Sequence, residues 1–94
     1  MPDSQPNIVI YGTETCGYCS AARMLLKKKG LDYKDLLVSR DPELRREMEE
    51  RSGGGRSVPQ IFIGDHHVGG YDELYSLEKS GDLDKLLNDG NGGT

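Results

Sequence analysis

The chain has 94 residues, with 12 basic against 16 acidic side chains and a formal charge of −4. A chain of this size supports one hydrophobic core and leaves no room for a second independent one. The acidic balance, strongest in the C-terminal third, argues against a general nucleic-acid-binding protein.

No apolar run approaches the roughly 20 residues that span a bilayer. The N-terminus also lacks the basic and apolar regions of a signal peptide. We therefore expect a monomeric cytoplasmic protein without membrane or nucleic-acid partners. It should form one domain over 1–94, with a core at about 7–88 and flexible ends at 1–6 and 89–94.

The N-terminal half predicts a strand, a helix and a second strand. Asn7 to Tyr11 is a short β-branched and aromatic run, typical of a buried strand. Apolar residues recur at helical spacing from about Gly17 to Lys29, and Gly30 ends that helix. Leu31 to Val38 predicts the second strand. A strand, helix and strand in this order imply a right-handed parallel crossover.

The second helix has a clear start signal. Asp41 is the predicted N-cap, and Pro42 occupies the first helical position, where its missing N–H costs nothing. The charged helix that follows runs to about Arg51.

The C-terminal half predicts a hairpin and two helices after a flexible break at Gly53–Gly55. Gln60–Ile63 and His66–Val68 are the paired strands. A helix from about Tyr71 to Lys79 follows, and three leucines mark a last short helix: Leu83, Leu86 and Leu87. The predicted order is β-α-β-α-β-β-α-α, an α/β chain whose hairpin adds antiparallel strands to the same sheet.

The cysteine pair is the strongest chemical signal. Cys16 and Cys19 lie where the first strand gives way to the first helix, and unpaired amides with the helix dipole stabilise a thiolate there. Cys16 is therefore the predicted nucleophile, and Cys19, one turn on, the predicted resolving thiol. The alternatives are half of a zinc site or two inert buried cysteines. Zinc requires two further ligands, and His66 and His67 point to opposite faces of a strand.

Two further segments have both a plain and a functional interpretation. Most X–Pro bonds in folded proteins are trans, so from the residues alone we expect a trans bond before Pro59. A cis bond would let the backbone of Val58 pair with an extended peptide. Gly70, Tyr71 and Asp72 begin a helix whose amides can hold a carboxylate, while Asp72 can hold an amine. The residues alone favour the simpler interpretation that Asp72 caps or complements its own helix.

Three ordered motifs carry a resemblance to a known family. They are Thr15-Cys16-Gly17-Tyr18-Cys19, Ser57-Val58-Pro59-Gln60-Ile61-Phe62-Ile63 and Val68-Gly69-Gly70-Tyr71-Asp72-Glu73-Leu74. With them the chain resembles the dithiol glutaredoxins, close to the bacterial glutaredoxin 3 type, from about Asn7 to Leu87. The resemblance implies a thioredoxin-like fold with a four-stranded mixed sheet. It also implies a glutathione-dependent thiol–disulfide oxidoreductase that reduces protein disulfides and glutathione mixed disulfides, with ribonucleotide reductase as one partner.

The resemblance also implies roles for single residues. Cys16 forms the mixed disulfide with glutathione, and Cys19 resolves protein disulfides. The bond before Pro59 is cis, contrary to the expectation from the residues alone, and the backbone of Val58 pairs with the cysteine of glutathione. The remaining expected binders are Tyr18, which lines the groove, and Gly70, Tyr71 and Asp72, which receive the γ-glutamyl end.

Three positions depart from the family pattern. Thr13 stands where the family often has a lysine for the glycine carboxylate of glutathione, and Gly55 stands where a second anchor, often Gln or Arg, falls. We expect Arg56, one residue away, to supply that charge. Gly17 replaces the proline that is usual in dithiol members.

These departures keep two alternative functions open. Family members without the proline can hold a [2Fe-2S] cluster between two protomers, which would here use Cys16 and glutathione. Loss of the carboxylate anchors at Thr13 and Gly55 would instead suit a protein that is reduced by thioredoxin reductase.

Overall fold

A computed structural model describes residues 7–90 of the protein. In chain order its elements are β1 (Ile8–Gly12), α1 (Gly17–Lys28), β2 (Lys34–Leu37), α2 (Pro42–Arg51), β3 (Gln60–Ile63), β4 (His66–Gly69), α3 (Tyr71–Ser80) and α4 (Asp82–Gly90). This confirms the predicted order of strands and helices. Residues 89 and 90, which were expected in the flexible C-terminal end, belong to α4. The predicted flexible ends at 1–6 and 91–94 lie outside the described residues.

The four strands form one mixed sheet in the order β2-β1-β3-β4. β1 pairs in parallel with β2, opposing Val9 to Lys34, and antiparallel with β3, opposing Ile10 to Ile61. β3 and β4 form the predicted antiparallel hairpin. β1 is thus an inner strand that pairs with a neighbour on each side. The segment that follows it and leads to the cysteines therefore starts from a well-held position.

β2 is shorter than the predicted strand Leu31–Val38. The amide of Gly30 donates to the carbonyl of Lys27 (2.9 Å), and the amide of Leu31 donates to that of Leu26 (3.0 Å). These bonds cap the C-terminal end of α1 with Gly30 in a left-handed conformation, φ 74°. Leu31 therefore belongs to the helix cap and is not free to pair with β1.

Each face of the sheet is covered, because alternate residues of a strand point to opposite sides. One buried cluster lies between the sheet and α1, α3 and α4; it includes Ile8, Ile10, Ala22, Leu26, Ile61, Leu74 and Leu83. The other lies under α2 and comprises Val9, Tyr11, Val38, Met48 and Phe62. Burial on both sides holds β1 in place and with it the start of the segment that carries the cysteines.

α2 is anchored across the sheet by a polar contact as well as by packing. The buried hydroxyl of Tyr11 donates to the Glu47 carboxylate and accepts from Arg51 Nη1 at 2.9 Å. The Arg51 guanidinium also lies 4.2 Å from the centre of the Phe62 ring. Burial, reinforced by the bond to Glu47, raises the pKa of Tyr11 above its usual value, so this hydroxyl stays protonated.

The first turn of α1 packs directly on the end of β1. A Cβ atom placed on Gly12 would lie only 2.7 Å from the Sγ of Cys19, which is fully buried. No side chain larger than hydrogen fits at Gly12 unless the helix or the sulfur moves. Gly17, one of the departures from the family pattern, is different, because a Cβ there meets no atom within 4 Å.

The difference in space at Gly12 and Gly17 predicts different effects of an alanine substitution on stability. Gly12→Ala should destabilise the reduced protein by about 1–3 kcal/mol, because the methyl group forces Cys19 and α1 away from β1. Gly17→Ala should stay within about 0.5 kcal/mol of the unsubstituted protein, because the methyl group enters open space. Urea unfolding followed by far-ultraviolet circular dichroism measures both, and equal stabilities for the two variants would contradict the packing described here.

Candidate active site

Three segments meet at the carboxyl end of β1. They are the loop and first turn of α1 that carry the cysteines, the segment before β3 that contains Pro59, and the N-terminus of α3. Between them lies a groove of about 180 Å³ lined by Tyr18, Ser57, Val58, Pro59, Gly70, Tyr71, Asp72 and Glu73. The three segments come from distant parts of the sequence, so only the completed fold assembles this groove.

Hydrogen bonds and an ion pair hold the loop that leads to Cys16 on both sides. The Glu14 carboxylate accepts a hydrogen bond from Ser39 Oγ at 2.7 Å and pairs with Arg40. The hydrogen bond from Ser39 lowers the pKa of Glu14 to about 2, together with hydrogen bonds from the Glu14 backbone amide and from Arg40. On the other side, the carbonyl of Thr13 accepts from Arg23 Nη2 at 3.1 Å. These contacts fix the approach to the first cysteine.

Cys16 is the N-cap of α1, and its sulfur takes the place of the usual capping oxygen. The amide of Cys19 donates to Cys16 Sγ at 3.4 Å, and the same sulfur lies 3.8 Å from the carbonyl oxygen of Val58. Partial burial would raise the pKa of this thiol. Hydrogen bonds from the Cys19 thiol and from the amides of Cys19 and Tyr18, with the charge of Arg23, outweigh that and lower the pKa of Cys16 below its ordinary value.

Cys19 is in the opposite situation. Its side chain is fully buried against Gly12. Burial, together with the neighbouring Cys16, raises the pKa of Cys19 to about 11 despite opposing contributions from the Thr13 amide and Arg23. Both cysteines are free thiols. One sulfur is therefore accessible and acidic, and its neighbour is buried and protonated, which is the division of labour expected of a nucleophile and a resolving thiol.

Arg23 is a residue of this site that the sequence analysis missed. Its side chain is 16% exposed, and Nε lies 3.0 Å from Asp35 Oδ2 on β2, in an ion pair that is poorly aligned as a hydrogen bond. It contributes a positive charge beneath both thiols. Its spacing in the sequence could have identified it, because a residue four positions after Cys19 lies on the same face of the helix as Cys19.

The peptide bond between Val58 and Pro59 is cis. The expectation from the residues alone was a trans bond and is wrong; the bond is cis as the resemblance implies. Most X–Pro bonds in folded proteins are trans, and the tertiary context of this segment selects the cis isomer. The Val58 carbonyl lies beside Cys16 Sγ, which brings its backbone to the reacting atom.

Six of the seven predicted glutathione-binding residues line the groove: Tyr18, Val58, Pro59, Gly70, Tyr71 and Asp72. The seventh, Arg56, is exposed and is not among the lining residues. Ser57 and Glu73 also line the groove and were not among the predicted binders, although both stand in the motifs that carry the resemblance. A binding role for each of these residues stays a prediction.

At the N-terminus of α3, Asp72 is not the helix cap but lies in the first turn, where its charge complements the helix. Gly70 is the N-cap, and its amide donates to Glu73 Oε1 at 2.8 Å. The signal was the Glu three positions after the cap, the spacing of a capping box. The first intrahelical bond runs from the amide of Leu74 to the carbonyl of Gly70 (3.1 Å), so the amides of Tyr71 and Asp72 have no acceptor within the helix. These amides and the Asp72 carboxylate are both at the groove.

Gly55 occupies a crowded position. A Cβ there would lie 2.7 Å from Ser52 Oγ and 2.8 Å from Gln60 Nε2. Ser52 Oγ also accepts from the Gly55 amide at 2.9 Å, and buried Gln60 is held by His67 at 2.7 Å. A longer side chain at this position would therefore require its neighbours to move.

Residues 7–90 contain no group of three His, Cys, Asp or Glu side chains that could hold a metal ion. Within the same range, no helix is long and apolar enough to cross a membrane.

Comparison with known proteins decides the family. The sequence profile described as glutaredoxin matches residues 8–68. The chain belongs to the glutaredoxin family. It is 49% identical over 82 residues to a glutaredoxin of Pseudomonas aeruginosa, covering 87% of this chain and 96% of that one. It is 47% identical over 81 residues to glutaredoxin 3 of Escherichia coli, covering 86% and 96%.

Solved glutaredoxin structures show the same fold. The solution structure of glutaredoxin from Brucella melitensis has a TM-score of 0.78 and 47% identity, covering 100% of this chain and 98% of that one. The crystal structure of a buckwheat glutaredoxin–glutathione complex has a TM-score of 0.79 and 28% identity, covering 93% and 80%. These findings confirm the thioredoxin-like fold, and family and fold together support a role as a thiol–disulfide oxidoreductase.

The two pKa shifts predict selective alkylation of the reduced protein. The rate of Cys16 alkylation by iodoacetamide should rise with pH as the thiolate forms, and its midpoint should lie below that of an ordinary cysteine because the pKa of Cys16 is lowered. Cys19 should stay unlabelled until the pH approaches about 11. Mass spectrometry of tryptic peptides identifies the labelled site.

Urea-unfolded protein is the control, since both cysteines should then react alike. Labelling of Cys19 in the folded protein at neutral pH, at a rate comparable with Cys16, would contradict the asymmetry.

Proposed function

We propose that this protein is a glutathione-dependent oxidoreductase that reduces glutathione mixed disulfides and protein disulfides, with Cys16 as nucleophile and Cys19 as resolving thiol. The observation that carries this proposal is the position of Cys16 Sγ. It accepts a bond from the Cys19 amide at 3.4 Å and lies 3.8 Å from the Val58 carbonyl at the edge of the groove. A sulfur in this position is acidic, accessible and next to a backbone that can hold a peptide.

The groove suits glutathione in the orientation that the family resemblance implies. The cysteine of glutathione pairs with the backbone of Val58, which places its sulfur beside Cys16. The γ-glutamyl carboxylate meets the amides at the start of α3, and its amino group meets the Asp72 carboxylate. The structurally similar buckwheat glutaredoxin, which was crystallised with glutathione, supports this assignment.

Reduction of a glutathione mixed disulfide needs only Cys16. Its thiolate attacks the glutathione sulfur, a disulfide forms between Cys16 and glutathione, and the protein sulfur leaves as a thiolate that takes up a proton. A second glutathione thiolate then attacks the glutathione sulfur bound to Cys16. Oxidised glutathione leaves, and the Cys16 thiolate is restored.

Reduction of a protein disulfide uses both cysteines. Cys16 attacks one sulfur of the substrate, and the other leaves as a thiol. Cys19 then loses its proton and attacks Cys16, which releases the second thiol and leaves a Cys16–Cys19 disulfide for two glutathione molecules to reduce. Cys16 contributes to the raised pKa of Cys19. That contribution ends once Cys16 is in a mixed disulfide, so the step that needs the Cys19 thiolate is eased only after the substrate is bound.

Glutathione should bind more weakly here than in relatives that have both carboxylate anchors. Thr13 lacks a charged side chain, Gly55 has no side chain, and Arg56 does not line the groove. Loss of one charge-assisted contact costs roughly 1.5–3 kcal/mol, which is about ten- to a hundredfold in affinity.

Glutathione-coupled reduction of a small glutathione mixed disulfide tests the proposal. The reaction is followed through NADPH oxidation by glutathione reductase. We expect activity in the wild type, none in Cys16→Ser, and retained activity in Cys19→Ser, since the monothiol route does not need the second thiol. Reduction of a protein disulfide should be lost in both variants.

An inactive wild type with glutathione would overturn the glutathione assignment. Activity with thioredoxin reductase instead would then show that the missing carboxylate anchors have changed the electron donor.

A second candidate, a [2Fe-2S] scaffold or carrier, rests on the open space at Gly17. A single chain supplies one accessible sulfur, Cys16, because Cys19 is fully buried. A cluster would therefore need ligands from glutathione and from a second protomer. The absorption spectrum and mass of freshly purified protein separate the two functions, since disulfide reduction predicts a colourless monomer and the carrier predicts a coloured dimer.

A further inference from the structure

The exposed large apolar side chains of the described residues lie on one face of the molecule. They are Tyr18, Met24 and Tyr75, which are 64%, 70% and 45% exposed. Met24 and Tyr75 line a second groove, of about 950 Å³, between α1 and α3; its lining residues are Ala21, Met24, Leu25, Lys27, Lys28, Lys29, Tyr71, Tyr75 and Glu78. We call it the α1–α3 groove. Exposed apolar side chains grouped in this way mark an interaction surface more often than isolated ones do.

The α1–α3 groove is continuous with the groove beside Cys16, because Tyr71 lines both. Three stacked tyrosine rings run from one to the other. The ring centres of Tyr18 and Tyr71 are 6.2 Å apart at an interplanar angle of 29°, and those of Tyr71 and Tyr75 are 5.9 Å apart at 27°. A chain whose sulfur lies at Cys16 can therefore extend over aromatic surface into the second groove.

The charges around the α1–α3 groove favour an acidic partner. Lys27 and Lys28 are exposed, and Lys79 Nζ lies 5.6 Å from the centre of the Tyr75 ring. The one acid among the lining residues, Glu78, is paired with Lys29 at 2.9 Å. These lysines make the edge of the groove positive, although the chain has a formal charge of −4. The positive edge attracts acidic segments, whereas the rest of the surface repels them.

We propose that the α1–α3 groove docks the protein part of the disulfide substrate, as a segment that carries acidic residues and an aromatic or large aliphatic side chain close to the reacting cysteine. This proposal rests on the proposed function, since it assigns the partner of the same Cys16. The apolar side chain packs on Met24 and Tyr75, and the acidic residues face Lys27 and Lys28. The groove beside Cys16 thereby serves glutathione, and the α1–α3 groove serves the protein to which glutathione is attached.

The test uses synthetic peptides in which one cysteine carries a glutathione mixed disulfide. One peptide has acidic and phenylalanine residues on both sides of the cysteine, a second has basic residues in place of the acidic ones, and a third has alanine in place of phenylalanine. Two variants change the groove. One is a double variant with Lys27→Glu and Lys28→Glu, and the other carries Tyr75→Ala alone. The matched control is Lys34→Glu with Arg46→Glu, which changes the net charge equally at exposed positions that line neither groove.

Wild type should reduce the acidic phenylalanine peptide with the highest kcat/KM of the three. The double lysine variant should lower that kcat/KM about five- to tenfold at low ionic strength, and high salt should shrink the difference. Tyr75→Ala should lower it about three- to tenfold and should affect the alanine peptide much less. Both variants should reduce a small hydroxyethyl–glutathione disulfide at the wild-type rate, which shows that they are folded and that Cys16 works.

Two failures are distinguishable. Equal kcat/KM for the acidic and basic peptides, or an equal loss in the control variant, overturns the docking surface while the activity on the small disulfide stands. Failure of wild type to reduce the small disulfide overturns the proposed function, and with it the docking proposal.

Discussion

The contact between Gly12 and Cys19 is the constraint on which the site depends. With only hydrogen at Gly12, the first turn of α1 packs on the end of β1 so closely that a Cβ would lie 2.7 Å from Cys19 Sγ. That packing buries one sulfur fully and leaves the other at the helix terminus, where backbone amides reach it. Burial raises the pKa of Cys19, whereas hydrogen bonds at the helix terminus lower the pKa of Cys16, and this difference assigns the two roles.

Arg23 is a further residue that affects the pKa values of both thiols. Burial alone would raise the pKa of both thiols, and Arg23 opposes that rise at each of them. Its charge remains tolerable in a mostly buried position because Asp35 on β2 pairs with it and the Thr13 carbonyl accepts from it. The same side chain thus connects α1, β2 and the loop before Cys16, so that the geometry and the acidity of the nucleophile have a common support.

The sequence predicted the parts of this structure that local signals control. Hydrophobic periodicity, the Asp41 N-cap and the glycine breaks are properties of short segments, and the order of elements follows from them. Local signals do not reach the features that distant segments of the chain decide. The isomer before Pro59 depends on the completed fold, and the predicted binder Arg56 lies outside the groove while Ser57 and Glu73 line it. Such placement is a tertiary property that one strand or helix does not encode.

In the proposed function, the glycine carboxylate of glutathione is the part of the molecule for which the groove offers the fewest contacts. At Gly55 a side chain would meet Ser52 and Gln60, and Thr13 has no charged side chain. In the proposed function, the contacts that glutathione makes are therefore those to its cysteine and its γ-glutamyl end. A substrate that is weakly held through glutathione gains more from contacts made by the attached protein, because the binding free energies of the two parts act on the same complex. On the two proposals together, weak binding of the glycine carboxylate and docking in the positive, aromatic α1–α3 groove are complementary.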